Sequence, residues 1–470
     1  MTAINFGIAS NPARDGSVSA ARIINGFVEA AGAESKTPYP VYSSPGYKRF
    51  GTIDIAAGER GMIVVGDTIY AVIGTQVLKI GVDGSFTVLG GLTGTGPVFM
   101  ARNNRTIPQV GVVANGQYFI IEGTSFSQVT DPDVGVPNGI ASIDGYFVLT
   151  QATGKFVWTA LNDGNTIAAL DFANAESDPD GLSRPFKYGS DLALFGTETI
   201  EIWRNTGNVN GIFEPLQGVN ITKGTVSPHS VVEIDNALIF VDHLGVVRRM
   251  RGDYNPVKIS PVGLDLAISG LSEGEKQGLK AHSYSVQGHE FYSLSSSTFT
   301  WEFDASTGQW HERESYQVKR WNISNSVFLG GKVIFGHYNI GRLYELDTDM
   351  GDEDGAHIIF DVRSPIMHAF PYRTVIDRLS LDLVVGRGKT STDTLKSDPK
   401  ITLRYSDDGG HSWSVGRDKS IGKIGDFIQS VTFRSLGMTK RGGRIWRITS
   451  ASPVLRGINS ADVIARRSRI

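Results

Sequence analysis

The chain has 470 residues, a net charge of −3, 56 glycines and no cysteine. That length allows two or three domains, and 40% hydrophobic with 20% charged residues supports large cores rather than disorder. The near-neutral balance argues against a protein whose main task is gripping nucleic-acid phosphates. The absence of cysteine excludes a disulfide framework, a thiolate zinc site and a cysteine nucleophile.

Met1-Thr2-Ala3-Ile4-Asn5-Phe6-Gly7 carries no basic segment followed by an apolar one, and no run reaches the length of a membrane span. The expectation is a soluble product made in a cytoplasm, with no membrane partner. Abundant glycine without a three-residue period implies many tight turns and short strands.

Residues 1–50 read as open and extended. Arg22-Ile23-Ile24-Asn25-Gly26-Phe27-Val28-Glu29 is a short apolar strand, followed by the turn signals Thr37-Pro38-Tyr39-Pro40 and Ser44-Pro45-Gly46-Tyr47. Two readings stay open: a strand pairing into the next domain, or an arm packing on a neighbouring subunit.

From 51 to 355 the chain repeats itself. Each unit is a polar turn with Gly or Asn, a β-branched and aromatic strand, a second turn and a second strand. The units start near Gly66, Asn115, Asp144, Gly189, Asp235, His289 and Gly331. Seven units across this stretch give roughly 44 residues each, inside the ~40–50 of a propeller blade. One such sheet cannot cover both its faces, but a ring of them can. The spacing is uneven, so an incomplete or distorted blade is expected. Residues 262–280, with Leu264, Leu266, Ile268 and Leu271 interrupted by Gly270 and Gly274, read as one or two inserted short helices. They suit a lid over a blade gap, or a protruding partner contact.

The acidic turn 347–354 closes this region. Its spacing lacks the alternating oxygen ligands and closing Glu of a calcium loop. From 356 the strands lengthen: 378–385 alternates as a half-buried strand should, and 427–434 and 443–449 follow. The predicted fold is therefore all-β. It is an irregular seven-bladed β-propeller over 51–355, then an antiparallel β-sandwich or jelly roll over 356–470, with a short helical insertion.

Within this last region, 406–413 reads Ser-x-Asp-x-Gly-x-Ser-Trp, an Asp-box. Asp407-Asp408-Gly409-Gly410 supplies the positive-φ positions of a tight hairpin. Asp408 can accept hydrogen bonds from the loop's own N–H groups, and Trp413 can cover the hairpin end. Ser406, Asp408, Gly410, Ser412 and Trp413 are thus expected to be structural. The motif marks a fold element more than a function.

Chemical motifs are near misses. Arg387-Gly388-Lys389-Thr390 ends like a P-loop, but Leu383 stands where the first Gly is needed. His289-Glu290 and His311-Glu312 begin like a zinc helix, yet Ser293 and Ser315 replace the second His, and both segments read as strands. A sialidase-like propeller would need several arginines, a Tyr–Glu pair, an acid and multiple Asp-boxes within the blades; here one box follows the propeller. Asn104-Arg105-Thr106-Ile107-Pro108 has Thr inserted into that family's Arg-Ile-Pro start. Asp178 and Asp180 could serve glycoside chemistry, but beside Pro179 and Gly181 they read as a turn. No catalytic, cofactor-binding or metal residue is assigned.

Several segments do match a family in order. They are 174–182 (Asn-Ala-Glu-Ser-Asp-Pro-Asp-Gly-Leu), 195–207 (Phe-Gly-Thr-Glu-Thr-Ile-Glu-Ile-Trp-Arg-Asn-Thr-Gly), Phe213-Glu214-Pro215-Leu216 and Lys223-Gly224. With 25–29, 44–47, 405–413 and 443–450, the chain resembles the packaged-DNA stabilisation proteins of short-tailed phages, also described as tail hub or tail accessory proteins. The resemblance implies a structural virion protein of the tail, without cofactor or catalysis. It implies a hexameric ring beneath the portal and its adaptor that helps retain packaged DNA and carries the tail needle and the tailspikes or fibres. A glycan-binding or glycan-hydrolysing tail propeller is the alternative.

The C-terminal end is the one basic feature: Lys440, Arg441, Arg444, Arg447 and Arg456, then Arg466, Arg467 and Arg469. It reads as solvated tail and strand edges. The other reading is that Arg466, Arg467 and Arg469 contact an acidic partner or the DNA end in the tail channel.

Overall fold

The structure, a computed structural model, describes residues 2–7, 9–32, 34–175, 180–208 and 211–468. Seven four-stranded antiparallel blades follow one another along the chain; blades 1 to 5 are separate sheets, while blades 6 and 7 are parts of larger ones. Blades 1 to 6 span 59–91, 99–128, 137–174, 182–215, 232–258 and 280–312. Blade 7 takes three strands from 323–347 and its fourth, Gly46–Ile55, from near the N-terminus. That strand pairs antiparallel with Gly341–Asp347, Leu343 opposite Phe50 and Tyr344 opposite Arg49. The ring is thereby closed by two segments about 300 residues apart in sequence.

The turn chemistry explains the repeat. Hairpins within several blades place consecutive residues at positive φ, as at Asn115-Gly116 (51° and 73°) and Asp144-Gly145 (50° and 90°). Such turns match the right-handed twist of the strands they join. Both faces of each sheet are apolar because each packs on a neighbour. A separate buried cluster fills every gap between blades. Val72, Val110 and Val112 lie between blades 1 and 2, for example, and Ile69, Ile334 and Leu343 between blades 7 and 1.

No described blade is short of a strand, contrary to the expectation from uneven spacing. The irregularity lies in the connections. The largest, 259–279, holds two short helices, Val262–Ser269 and Glu273–Gln277. Leu264 and Ile268 are buried with Ile239, Tyr292 and Trp301, so this insertion fills the seam between blades 5 and 6. Ser272 and Glu275 form a reciprocal capping box that starts the second helix.

The remaining strands make a two-sheet sandwich. One sheet runs in the order Gly26–Val28, Val41–Ser43, Gly457–Arg467, Thr374–Leu383, Val431–Met438, with Thr2–Ile4 also on Gly457–Arg467. The other comprises Phe360–Arg363, Ile445–Ser450, Lys400–Ser406 and Arg417–Ser420. Leu379, Phe433 and Val463 of the first meet Val362, Leu403, Trp446 and Ile448 of the second in one core. Strand Arg22–Ile24 lies between this second sheet and blade 6, bridging Glu312 on one side and pairing with 361–363 on the other. Residues 1–50 therefore pair within the chain and supply strands to both units.

Candidate functional site

The first strands of the seven blades ring a central channel. A cavity of about 330 Å³ there is lined from every blade, including Arg60, Met100, Ile140, Arg184, His229, Lys280, His282 and Ser326. Sequence reading missed these groups. Their signal is a charged residue in the first strand of a unit, whereas the repeat was anchored on the second.

Most of this polar lining is occupied by the fold itself. Arg60 donates to the carbonyls of Gly96 (2.6 Å), Gly74 (2.9 Å), Thr93 (3.3 Å) and Leu92 (3.4 Å), tying the first strand of blade 1 to its outer loop. Glu59 accepts from Lys280 (3.1 Å), Ser324 (2.7 Å) and Asn325 (3.2 Å), joining blades 6, 7 and 1. Arg184 donates from Nη1 to Pro228 O (2.7 Å) and Val231 O (2.8 Å), joining blades 4 and 5. A Tyr–Glu pair exists, since Tyr284 donates to Glu302 at 2.9 Å, but Glu302 is fully buried in the blade and also faces His311 at 3.3 Å. No substrate reaches it in this conformation.

The second polar concentration lies where propeller meets sandwich. Arg313 sits 4.5 Å over the Trp321 ring and donates to Pro45 O (3.0 Å). Trp321 in turn donates to Glu353 (2.9 Å), whose carboxyl burial pushes up in pKa. Arg456 donates to Ile358 O (2.9 Å); burial, helped by Arg313, pushes its guanidinium down to about 9. Arg22 forms a two-point pair with Glu312 across the bridging strand. Buried charges of this kind bind the two units in one orientation, because separating either partner strands a charge.

The Asp-box occupies the loop 407–416 between the paired strands Lys400–Ser406 and Arg417–Ser420. Asp408 accepts from Ser412 N (2.9 Å), Ser406 Oγ (2.7 Å) and the Ser412 hydroxyl, and Ser406 Oγ accepts from Gly410 N (2.9 Å). These bonds, Ser412 first, hold the Asp408 carboxyl below the usual range. Positive φ falls on Gly409 and Gly410, not on the two aspartates. Trp413 lies against Arg447 and Arg363, 5.5 and 5.7 Å from their guanidinium carbons. Both arginines bond Asp361.

A propeller followed along the chain by a sandwich is the combination that two family models describe, in that order. The family described as bacteriophage P22 Gp10, beta-propeller, matches residues 27–351, and that described as bacteriophage P22 Gp10, beta-sandwich, matches 359–465. The chain belongs to the bacteriophage P22 Gp10 family. No curated protein matches it in sequence. Among solved structures it is similar to the WD40 β-propeller domain of Doa1, at 12% identity, TM-score 0.42, over 64% of this chain and 97% of that one. It is also similar to the computationally designed Ika8 protein, at 13% identity, TM-score 0.38, over 70% of this chain and 99% of that one.

The other sequence-predicted groups of this Gp10-family chain fall as follows. Arg444 is buried and bonded to Asp407, Arg447 to Asp361, and Arg456 lies in the joint, so these three are not a solvated basic surface. Arg444 and Arg456 are buried and Arg447 half-buried because each has a carboxylate or carbonyl partner, which a charge count along the chain does not reveal. Arg466 is exposed, 3.7 Å from Asp377; Arg467 stacks on Tyr372 at 5.3 Å; Arg469 lies outside the described residues. Asp180 accepts from Glu198 N (2.7 Å) and Thr199 N (3.0 Å), closing a turn, while Asp178 lies outside the described residues. Lys389 Nζ donates to Asp349 O (2.6 Å), Asp347 pairs with Lys48 (3.0 Å), and Arg105 pairs with Glu122 (3.1 Å).

Proposed function

We propose that this protein is the hub of a short phage tail. In this reading it is a structural virion protein, six copies of which form a ring beneath the portal adaptor. The ring helps retain packaged DNA and carries the tail needle and the tailspikes or fibres. The observation that carries it is the match to both Gp10 parts across the chain, joined by a shared sheet through Arg22–Ile24. Physical argument supports the same role. Head-to-tail subunits close into a ring only if each holds a fixed angle, and lasting interfaces bury over ~2,000 Å². A closed propeller locked to a sandwich by buried ion pairs offers such faces without flexing. The reading carries no cofactor, no membrane partner and no catalysis, and places synthesis in the host cytoplasm and the mature protein in the virion tail.

The test is to combine purified protein with portal–adaptor particles and image them. Added density with sixfold symmetry is expected, and particles lacking the protein should lose their DNA. Hydrolysis of a surface polysaccharide that disappears on replacing one carboxylate would overturn the structural reading in favour of the glycan-cleaving alternative.

A further inference from the structure

The propeller channel holds a group of basic side chains that the fold leaves incompletely partnered. The geometry points to a site for a small oxyanion in this channel, of the phosphate class, held by Arg184, His229 and Lys280. This channel belongs to the single subunit and is separate from any lumen of an assembled ring, so the inference stands or falls apart from the hub reading.

Three observations carry it. First, no carboxylate among the described residues pairs with Arg184. Nη1 donates to two carbonyls, and Nε is buried without a partner among the described residues. Beside it, Phe99 stacks on His229 at 4.0 Å with 6° between the rings, and the Arg184 guanidinium lies 4.9 Å from the same Phe99 ring. One aromatic plate thus gathers an imidazole and a guanidinium at the cavity wall.

Second, the basic groups act on one another. Burial pushes His229 well below the usual histidine range, and the nearby charges of Arg184 and Lys280 push it further. Burial alone takes Arg184 down to about 9. A guanidinium that burial deprives of solvation is stabilised by an anion beside it. The carboxylates in reach do not supply one. Glu59 already serves Lys280, Ser324 and Asn325, and Glu233 is itself pushed up by burial, with Lys187 as the charge acting on it.

Third, His282 lines the same cavity, only 3% exposed, with neither ring nitrogen partnered. Buried polar atoms in a native interior are rarely left so. A cavity of about 330 Å³ has room for a phosphate and its waters beside these side chains.

The experiment uses the full chain, in phosphate-free buffer, titrated with inorganic phosphate by calorimetry and followed by 31P line broadening up to about 10 mM. Saturable binding is expected. Arg184→Met should weaken it roughly tenfold or more, the loss of a charge-assisted hydrogen bond. Arg184 also holds blades 4 and 5, so His229→Phe is the second variant; it keeps the stack on Phe99 and removes a donor, and should weaken binding severalfold. Acetate is the carboxylate arm: binding of acetate with the same sensitivity to both variants would support the oxyanion site and assign it to carboxylates. No saturable binding of either anion, or binding unchanged in both variants, would overturn the inference.

Discussion

Arg444 and Asp407 form a two-point ion pair, Nε to Oδ1 and Nη2 to Oδ2 both at 2.7 Å, between the strand Ile445–Ser450 and the Asp-box loop. The guanidinium is buried, lies 3.8 Å from the Tyr405 ring and also donates to Leu436 O at 2.6 Å. Removing the carboxylate leaves a cation with no access to water. Asp407→Ala should therefore destabilise the sandwich by about 3 kcal/mol or more. Asp408→Ala, which opens a solvated loop, should cost clearly less. Chemical unfolding of the two variants checks the order; a larger loss for Asp408→Ala would show that the box, not the ion pair, holds this corner.

Ring closure rests on the strand Gly46–Ile55. Leu343 is fully buried opposite Phe50, among Ile53, Ile73 and Ile334. Leu343→Ala should destabilise the propeller by about 2–5 kcal/mol, since the seam is held from both sides and cannot collapse. Val88, half exposed on the outermost strand of blade 1, is the control, and Val88→Ala should change stability by less than ~0.5 kcal/mol. Thermal unfolding compares them. Equal shifts would mean that closure is not what limits the stability of the ring.

Much of this architecture was legible because blade hairpins need unusual backbone angles. Asn115-Gly116 and Asp144-Gly145 announce themselves as turn residues, and the strands between them are β-branched and aromatic. The same local signals hid the closing strand. Residues 46–55 look like any other strand, and nothing local says that the partner is Gly341–Asp347. The unevenness of the repeat misled for a related reason: the seam-filling helices at 262–277 lengthen a connection without removing a strand. The channel was harder still. Arg60 and Arg184 there, like Arg313 and Arg456 in the joint, are charged residues in an unremarkable sequence setting, and their placement follows from carbonyls far away in the chain. The Asp-box is the opposite case. Its hydrogen bonds are all within seven residues, so spacing alone places them.

His289 and Asp304 pair between the second and third strands of blade 6 at 2.7 Å, both largely buried. The hydrogen bond to Asp304 raises the His289 pKa against the opposing effect of burial. For Asp304, burial pushes up, but the bonds from His289 and Thr307 leave it lowered. A raised histidine contributes stability that is full below its unfolded value, near ~6.5, and fades as pH rises through the folded value. A lowered aspartate contributes stability above its unfolded value that fades as pH falls through the folded one. The pair is thus strongest in mildly acidic solution. The stability difference between the native chain and His289→Gln should be larger near about pH 5.5 than near about pH 8.5. Denaturant midpoints at the two values test this, and a difference that grows toward alkaline pH would contradict it.

Arg466 and Arg467 end the strand Gly457–Arg467, which pairs with Thr374–Leu383 at the margin of the sandwich. Arg466 is mostly exposed and only loosely near Asp377, and Arg467 rests on Tyr372, itself half exposed. Exposed charges held this weakly contribute little to folding, ~0–1 kcal/mol. Their cost to an interface is different, because like charges brought together on assembly repel and slow association. If this margin meets an acidic partner or a DNA end, the double variant Arg466→Glu with Arg467→Glu should unfold at nearly the native denaturant midpoint yet add poorly to tail particles. The defect should shrink as salt rises, since screening weakens the repulsion. Sedimentation of assembly mixtures at two ionic strengths reads this directly. Full assembly by the variant at low salt would remove these arginines from the contact surface and leave them as solvated strand ends.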